Sequence, residues 1–395
     1  MFSGLTRIPR KKHPISRHNI DQSALNVLYA LRDGGYEGAL VGGCVRDLAL
    51  GQQPKDFDVV TDARPDQLKK LFGRRCSLIG KRFRLAHIYD RGRNYVEVAT
   101  YRRSVHEDEV VKGRYAENNI FGDMKEDAFR RDFTINALYY NVTDFSIIDY
   151  VGGWRDMKRK RLICVGDPAK RFPEDPLRMI RAARFCGSLG LKPGRRELKA
   201  IKQFSPLISR VNSNRLLEEI YKIVKCGHSA DIFHRLDRFG LLTNWLPELA
   251  GPDTVAATAR RLEEVDRRVR HGDRLATAVS IAALVYDHLK PFILSDDTTE
   301  REGFDQVFID LMTKLRMARK EREKIRQLLL RQRVLQEPPQ KKGREKKRRF
   351  SIKKFILNEH FRHSLVLFEM ISMAENRNLD AVRYWYEKQQ SIRNP

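Results

Sequence analysis

Apolar residues first recur at helical spacing. Ala24, Leu25, Leu28 and Leu31 line one side of the segment Asp21 to Gly34, which the Gly34-Gly35 pair stops, predicting a helix. Short apolar runs follow: Ala39-Leu40-Val41, Phe57 to Val60, Ser77-Leu78-Ile79, Leu85 to Tyr89 and Tyr95 to Thr100. Their length predicts strands. A helical pattern, Pro65 to Phe72, lies between the second and third. This mixed head runs to about Gly153. From Glu174 onward almost every segment has helical spacing, with breaks near Pro193, Pro206, Pro247 and Pro252. Asp175 to Leu189 predicts a helix with Met179, Ile180, Ala183 and Phe185 on one side and Arg178, Arg181 and Arg184 along another. The body stays helical to about Arg331, and Glu337-Pro338-Pro339 breaks it. Lys341 to Lys354 is dense in Lys and Arg, and Phe355 to Gln389 is a last helical stretch.

The expected class is α+β: a mixed head with a small β-sheet and flanking helices, then an elongated all-α neck, body and tail. The divisions read from the pattern are a basic arm 1–19, a head 20–153, a neck 154–215, a body 216–331 and a basic linker with helical tail 332–395.

Composition changes this picture in one respect. The 395 residues carry a formal net charge of +26. A field that positive attracts polyanions, and nucleic acid leads over anionic membrane because no amphipathic anchor or lipidation motif is present. No apolar run approaches the roughly 18 residues of a spanning helix, and the basic start, Met1 to His18, has no apolar h-region. The expectation is a soluble cytoplasmic protein. Five scattered cysteines, Cys44, Cys76, Cys164, Cys186 and Cys226, form no CxxC pair. They predict reduced, mostly buried thiols rather than disulfides or a structural zinc site.

Four constellations could carry chemistry. Leu40-Val41-Gly42-Gly43-Cys44-Val45-Arg46-Asp47 reads as strand, double glycine, helix. Glycines let backbone approach a phosphate, the helix start favours an anion, and Arg46 adds a charge. The same pattern also describes an ordinary strand-to-helix turn. In Lys55-Asp56-Phe57-Asp58-Val59-Val60, a strand would point Asp56 and Asp58 to one side. Two such carboxylates suit magnesium, or serve only to keep a strand edge soluble. In Arg130-Arg131-Asp132-Phe133-Thr134-Ile135-Asn136, a helix would put Asp132 and Asn136 on one face beside two cations. A charged, capped helix start would look alike. In Arg171-Phe172-Pro173-Glu174-Asp175-Pro176-Leu177-Arg178, Asp175 suits an N-cap, while Asp175 with Arg178 can match the edge of a base. Glu97 is either a third carboxylate near the pair or an exposed strand residue, and His87 reads as a strand histidine rather than a ligand. Phe350 and Phe355 interrupt the basic run Lys341 to Lys354, so the run either binds RNA or is idle solvated charge. The aromatic residues of Phe355 to Tyr386 read as helix core.

In their order and spacing, LVGGCVRDLALG, KDFDVVTDARP, RRDFTINALYY and EDPLRMIRAARF resemble the class II nucleotidyltransferases, which comprise bacterial poly(A) polymerases and tRNA CCA-adding enzymes. The resemblance is close over roughly Ile8 to Pro247. The stretches IPRKKHPISRHNI, GKRFRLAHI and NNIFGDMKEDAFRRDFTINALYY resemble the poly(A) polymerase branch more. The resemblance implies a nucleotidyltransferase head, a nucleotide-recognition neck, and an RNA-binding body and tail. It implies that Asp56, Asp58 and Asp132 are catalytic, with Asp56 and Asp58 holding two Mg²⁺ ions. It implies that Gly42, Gly43, Arg46, Arg131 and Asn136 bind the nucleotide, and that Asp175 and Arg178 read its base. Cys44 departs from the expected glycine or alanine by one small thiol. The implied reaction is transfer of AMP from ATP to an RNA 3′-hydroxyl, with CCA addition to tRNA as the alternative. The implied partners are RNA and ATP, with no membrane, and a monomer is the favoured state.

Overall fold

The computed structural model describes residues 4–80, 85–90, 94–103, 121–338 and 351–393. Residues 341–350 of the basic run, with Phe350, lie outside the described residues, as do 81–84 and 118–120 of the diagnostic stretches. The chain divides into two units. One comprises residues 1–171 with 192–197, the other 172–191 with 198–395.

The first unit is built on a sheet of β1 (Thr6–Ile8), β2 (Gly38–Val41), β3 (Val59–Thr61), β4 (Cys76–Ile79), β5 (Leu85–Tyr89), β6 (Tyr95–Thr100), β7 (Leu138–Asn141) and β8 (Ile147–Asp149). The spatial order is β1-β8-β7-β2-β3-β6-β5-β4. Among the described strands of this sheet, only β3 and β6 pair parallel, with Val59 opposite Val98. Helices α1 (Gln22–Asp33), α2 (Gly43–Ala49), α3 (Pro65–Phe72), α4 (Met124–Arg130), α5 (Gly153–Lys158) and α6 (Pro168–Glu174) follow in the chain. The α1 residues Ala24, Leu25, Leu28 and Leu31 are buried, as their spacing requires. Asp21 caps this helix by accepting from Ser23 N at 2.8 Å. Ala39, Val41, Val60, Tyr101, Ala137, Tyr139 and Ile148 form the core under the sheet.

Two features depart from the sequence reading. Thr6–Ile8, in the expected free-standing arm, is the edge strand of the sheet, paired with Ile147–Asp149. Within the expected all-α neck, β9 (Arg161–Leu162) and β10 (Lys192–Pro193) form a short parallel ladder. Elements this short leave almost no periodicity to read.

The second unit is helical: α7 (Leu177–Ser188), the later part of α8 (Arg195–Phe204), α9 (Ser213–Val224), α10 (Ser229–Arg238), α11 (Leu241–Trp245), α12 (Pro252–Arg270), α13 (Thr277–Leu294), α14 (Thr298–Lys314), α15 (Arg319–Gln336), α16 (Ile352–Ile356), α17 (Phe361–Glu375) and α18 (Leu379–Arg393). Gly187 lets α7 approach α10, since a Cβ there would collide with Ile232. Helix α13 is the one described helix apolar and long enough to span a bilayer, at mean hydropathy 1.2, but 61% of it is buried among its neighbours. The aromatic tail residues Phe361, Phe368 and Trp385 are buried core, as read from the sequence. All five cysteines are free, and only Cys226 is not fully buried.

Candidate active site

The glycine turn forms as the sequence implies. Strand β2 ends at Val41, Gly42 adopts φ +75° at the start of α2, and Gly43 opens the helix. A β-carbon on Gly42 would lie in a disfavoured backbone region and 3.4 Å from Arg131 Nη1. The turn therefore keeps bare backbone facing a guanidinium. Cys44 is buried, its thiol pushed up to about 12 by desolvation and the nearby Asp58, and it donates to Val41 O at 3.2 Å.

The aspartate pair sits differently from expectation. The predicted strand Phe57 to Val60 begins only at Val59, so Asp56 and Asp58 occupy the extended segment entering β3. Val41 N still donates to Asp58 O at 3.1 Å, which ties that segment to the glycine turn. Both aspartates are exposed and line a cleft of about 850 Å³ with Glu97, Lys55, Tyr95, His18 and Asn19. Asp58 keeps solvent contact, but desolvation of its carboxyl by the protein around it lifts the pKa to about 6, with Glu97 and Asp56 adding to the shift and Arg131 opposing it.

Glu97 is beside the pair because the parallel register aligns Val59 with Val98. It also meets His87 Nε2 at 3.4 Å, a contact that neither sequence reading of Glu97 included. It does not close a three-ligand set. Among the described residues, no group of three or more His, Cys, Asp or Glu is placed to hold a metal ion. The donor set offered to a cation is the two aspartates, and their mutual repulsion suits a divalent ion.

Asp132 and Asn136 come together, but not on a helix. Helix α4 ends at Arg130, and the chain turns before a single 3₁₀ turn at Thr134–Asn136. Asp132 Oδ1 accepts from Phe133 N at 2.8 Å and from Asn136 Nδ2 at 3.1 Å. Asn136 Oδ1 accepts from Arg46 Nη1 at 2.7 Å, and Arg46 Nε donates to Asp47 at 2.8 Å. A relay thus runs from Asp132 through Asn136 to Arg46 beside the glycine turn.

The sequence reading gave no role to Asp127, Tyr139 or Arg171. Asp127, fully buried, binds Arg130 and Arg131 at 2.8 Å each and accepts from Tyr139 Oη at 2.8 Å. Burial alone would raise its pKa, but the two guanidiniums and the hydroxyl hold it below the ordinary value. The i, i+3 and i, i+4 spacing on α4 was the available signal. Arg171 Nη2 donates to the carbonyls of Arg130 and Arg131 at 2.6 and 3.0 Å, and Nε to Val165 O at 3.2 Å, clamping the turn that carries Asp132. No local spacing announces that contact.

In the helical unit, Asp175 is not the cap. Pro176 occupies that position before α7, which begins at Leu177 rather than Asp175. The Asp175 carboxylate instead takes a two-pronged bond from Arg215 at 3.0 and 2.9 Å. An arginine fork outcompetes a cap when it reaches both oxygens. Arg178 lies 3.3 Å from Glu174, and Arg181 and Arg184 pair with the buried Glu219 at 3.4 and 2.7 Å.

Residues 39–163 match the family description "Poly A polymerase head domain", and residues 191–251 match "Probable RNA and SrmB- binding site of polymerase A". The chain is 40% identical over 297 residues to poly(A) polymerase I of Salmonella typhi, covering 71% of this chain and 63% of that protein. It therefore spans less than two thirds of that relative. It is 39% identical over 202 residues to the CCA-adding enzyme of Bacillus pumilus, covering 51% and 49%. Its structure resembles a solved tRNA nucleotidyltransferase complexed with a primer tRNA and an incoming ATP analog, with a TM-score of 0.66, 25% identity, and coverage of 93% of this chain and all of that one. The head-domain match, the sequence relatives and the shared architecture agree with one another, and the head of this chain, residues 39–163, belongs to the nucleotidyltransferase family that joins poly(A) polymerases and CCA-adding enzymes.

Proposed function

We propose that this chain extends RNA 3′ ends without a template, transferring AMP from ATP and releasing pyrophosphate. The observation that carries the reading is the exposed Asp56–Asp58 pair, tied through Asp58 to a glycine turn that faces Arg131. Desolvation raises the Asp58 pKa, and the carboxylates of Glu97 and Asp56 raise it further, a repulsion that a divalent cation would relieve. Held by Asp56 and Asp58, two magnesium ions would supply Lewis-acid charge for activating the 3′-hydroxyl and balancing the triphosphate.

The remaining roles belong to this chain's own groups. The backbone of the Gly42–Gly43 turn receives the triphosphate, as the start of a helix can. Arg46, oriented by Asn136 and Asp132, and Arg131, oriented by Asp127 and Tyr139, offset the charge that develops as pyrophosphate leaves. Asp132 is assigned to the reacting centre, where its carboxylate keeps Asn136 fixed. Asp175 and Arg178 read the edge of the adenine base, with Arg215 setting the orientation of Asp175. The net charge of +26 holds the RNA backbone without reading sequence, so binding weakens steeply with salt.

Similarity to the poly(A) polymerase extends over more of the chain than similarity to the CCA-adding enzyme, 71% against 51%, which favours polyadenylation. The tRNA-bound structural relative favours CCA addition as the second reading. Extension of two labelled RNAs separates them: a generic single-stranded oligomer and a tRNA lacking its CCA end, given Mg²⁺ and ATP, CTP or both. Long ladders from ATP alone on both RNAs support polyadenylation. A three-nucleotide stop on the tRNA that needs both nucleotides overturns it in favour of CCA addition.

A further inference from the structure

The cleft beside the aspartates continues onto an open face of the head sheet. In β5 and β6 the buried positions are Ala86 and Ile88, and Val96, Val98 and Thr100. The alternate residues His87, Tyr89, Tyr95 and Glu97 share the other face. The antiparallel register sets His87 opposite Glu97 and Tyr89 opposite Tyr95, and the parallel register sets Asp58 level with Glu97. Outward from Asp58, the face therefore runs first through Glu97 and Tyr95 of β6, then through His87 and Tyr89 of β5.

Tyr95 is 47% exposed and lines the same cleft as Asp56 and Asp58. Its ring is nevertheless held. It stacks on His87 with centroids 3.9 Å apart and planes 8° from parallel, and His87 in turn meets Glu97 at 3.4 Å. Tyr89 leans on it at 5.6 Å. Core packing does not explain a large ring fixed in an open, polar cleft. The nearby carboxylates of Glu97, Asp58 and Asp56 repel a bare phosphate, whereas the ring accepts the uncharged face of a base. Every nucleobase has such a face, so the contact is indifferent to sequence.

We infer that Tyr95, braced by His87, is a stacking platform for a base at the 3′ end of the acceptor RNA, placing the terminal hydroxyl by the Asp56–Asp58 pair. The inference rests on the proposed function in taking RNA as the acceptor. The base of the incoming nucleotide has its own assigned readers in Asp175 and Arg178, which leaves this platform to the RNA.

The test uses the full chain and a single-stranded RNA ending in 2-aminopurine, whose fluorescence is quenched by stacking. The wild-type protein quenches the probe. Tyr95→Ala loses most of the quench and binds about tenfold more weakly, while Tyr95→Phe and Tyr95→Trp retain both. In steady-state assays Tyr95→Ala raises KM for RNA and leaves KM for ATP in place. Wild-type quench and affinity in Tyr95→Ala would overturn the inference. So would a rise in KM for ATP alone, or a Tyr95→Phe defect equal to that of Tyr95→Ala, which would point to the hydroxyl. Transfer without quenching by the wild type defeats the platform and spares the transferase reading; quenching without transfer does the reverse.

Discussion

In the helical unit, Glu219 lies buried between Arg181, Arg184 and Lys222, at 3.4, 2.7 and 3.0 Å. In the head, Asp58 shares its cleft with Asp56 and Glu97, whose like charges raise its pKa while Arg131 lowers it. Burial works against ionisation at both. At Glu219, Arg184, Arg181 and Lys222 overcome it and hold the pKa below the ordinary value. At Asp58, burial and two like charges win, and the pKa climbs to about 6. The difference separates charge that holds a fold from charge that, on the proposed function, receives a cation. A compensated carboxylate is part of the structure, and an uncompensated one awaits a partner.

The strongest way to break that comparison is to remove each carboxylate in turn. Asp58→Ala lowers transfer by about a thousandfold or more while RNA affinity stays within about twofold, read by single-turnover extension and filter binding. Surviving transfer would sink the metal assignment. Glu219→Ala leaves three cations without their buried partner and costs about 3 kcal/mol of stability, measured by urea unfolding. A loss below about 1 kcal/mol would mean that the cluster is no structural device. Arg171→Lys releases the carbonyls of Arg130 and Arg131 and lowers kcat about tenfold through misplaced Asp132 and Arg131, with stability nearly unchanged.

Titration sharpens the same contrast, with opposite signs. The Asp58 pKa is raised from 3.8 to about 6, so the unfolded chain binds fewer protons in that window. Metal-free stability therefore falls as pH rises from about 4 to 6, by about 1 kcal/mol once solvent access to the carboxylate is allowed for. Asp58→Asn removes this slope, and added Mg²⁺ raises the wild-type Tm above pH 6 but not that of the variant. The lowered pKa of Glu219 acts the other way: its contribution is present above its ordinary value of 4.5 and is lost as pH falls below it. Calorimetry at several pH values checks both. The smallest expected effect on the fold is at the half-exposed Asp175–Arg215 pair. Asp175→Ala changes stability by no more than about 0.5 kcal/mol. In extension assays it raises KM for ATP and weakens the preference over CTP.

The head was most legible where local pattern is strong. The short apolar runs Leu85 to Tyr89 and Tyr95 to Thr100 match both strands to the residue, and the helical pattern Pro65 to Phe72 matches its helix. The Asp56–Asp58 pair and the double glycine were visible because their spacing is itself the signal. Asp132 with Asn136 was read as a helical pair, and the contact exists, but a turn makes it. Asp175 was read as a cap because it precedes a proline, and Arg215, forty positions away, claimed it instead.

Sequence alone determined the residue types at the site, the alternation of apolar positions that builds the sheet, and the positive charge that suits a polyanion. Those are local or summed properties, and each is complete within a short window of chain. Tertiary structure decided which charges meet. The parallel pairing of β3 with β6 sets Glu97 beside Asp58, and the reach of Arg171 fixes the turn bearing Asp132. The edge pairing of β1 likewise makes the expected arm part of the sheet. Register and long-range hydrogen bonds depend on how distant segments pack, and no window of sequence contains both partners.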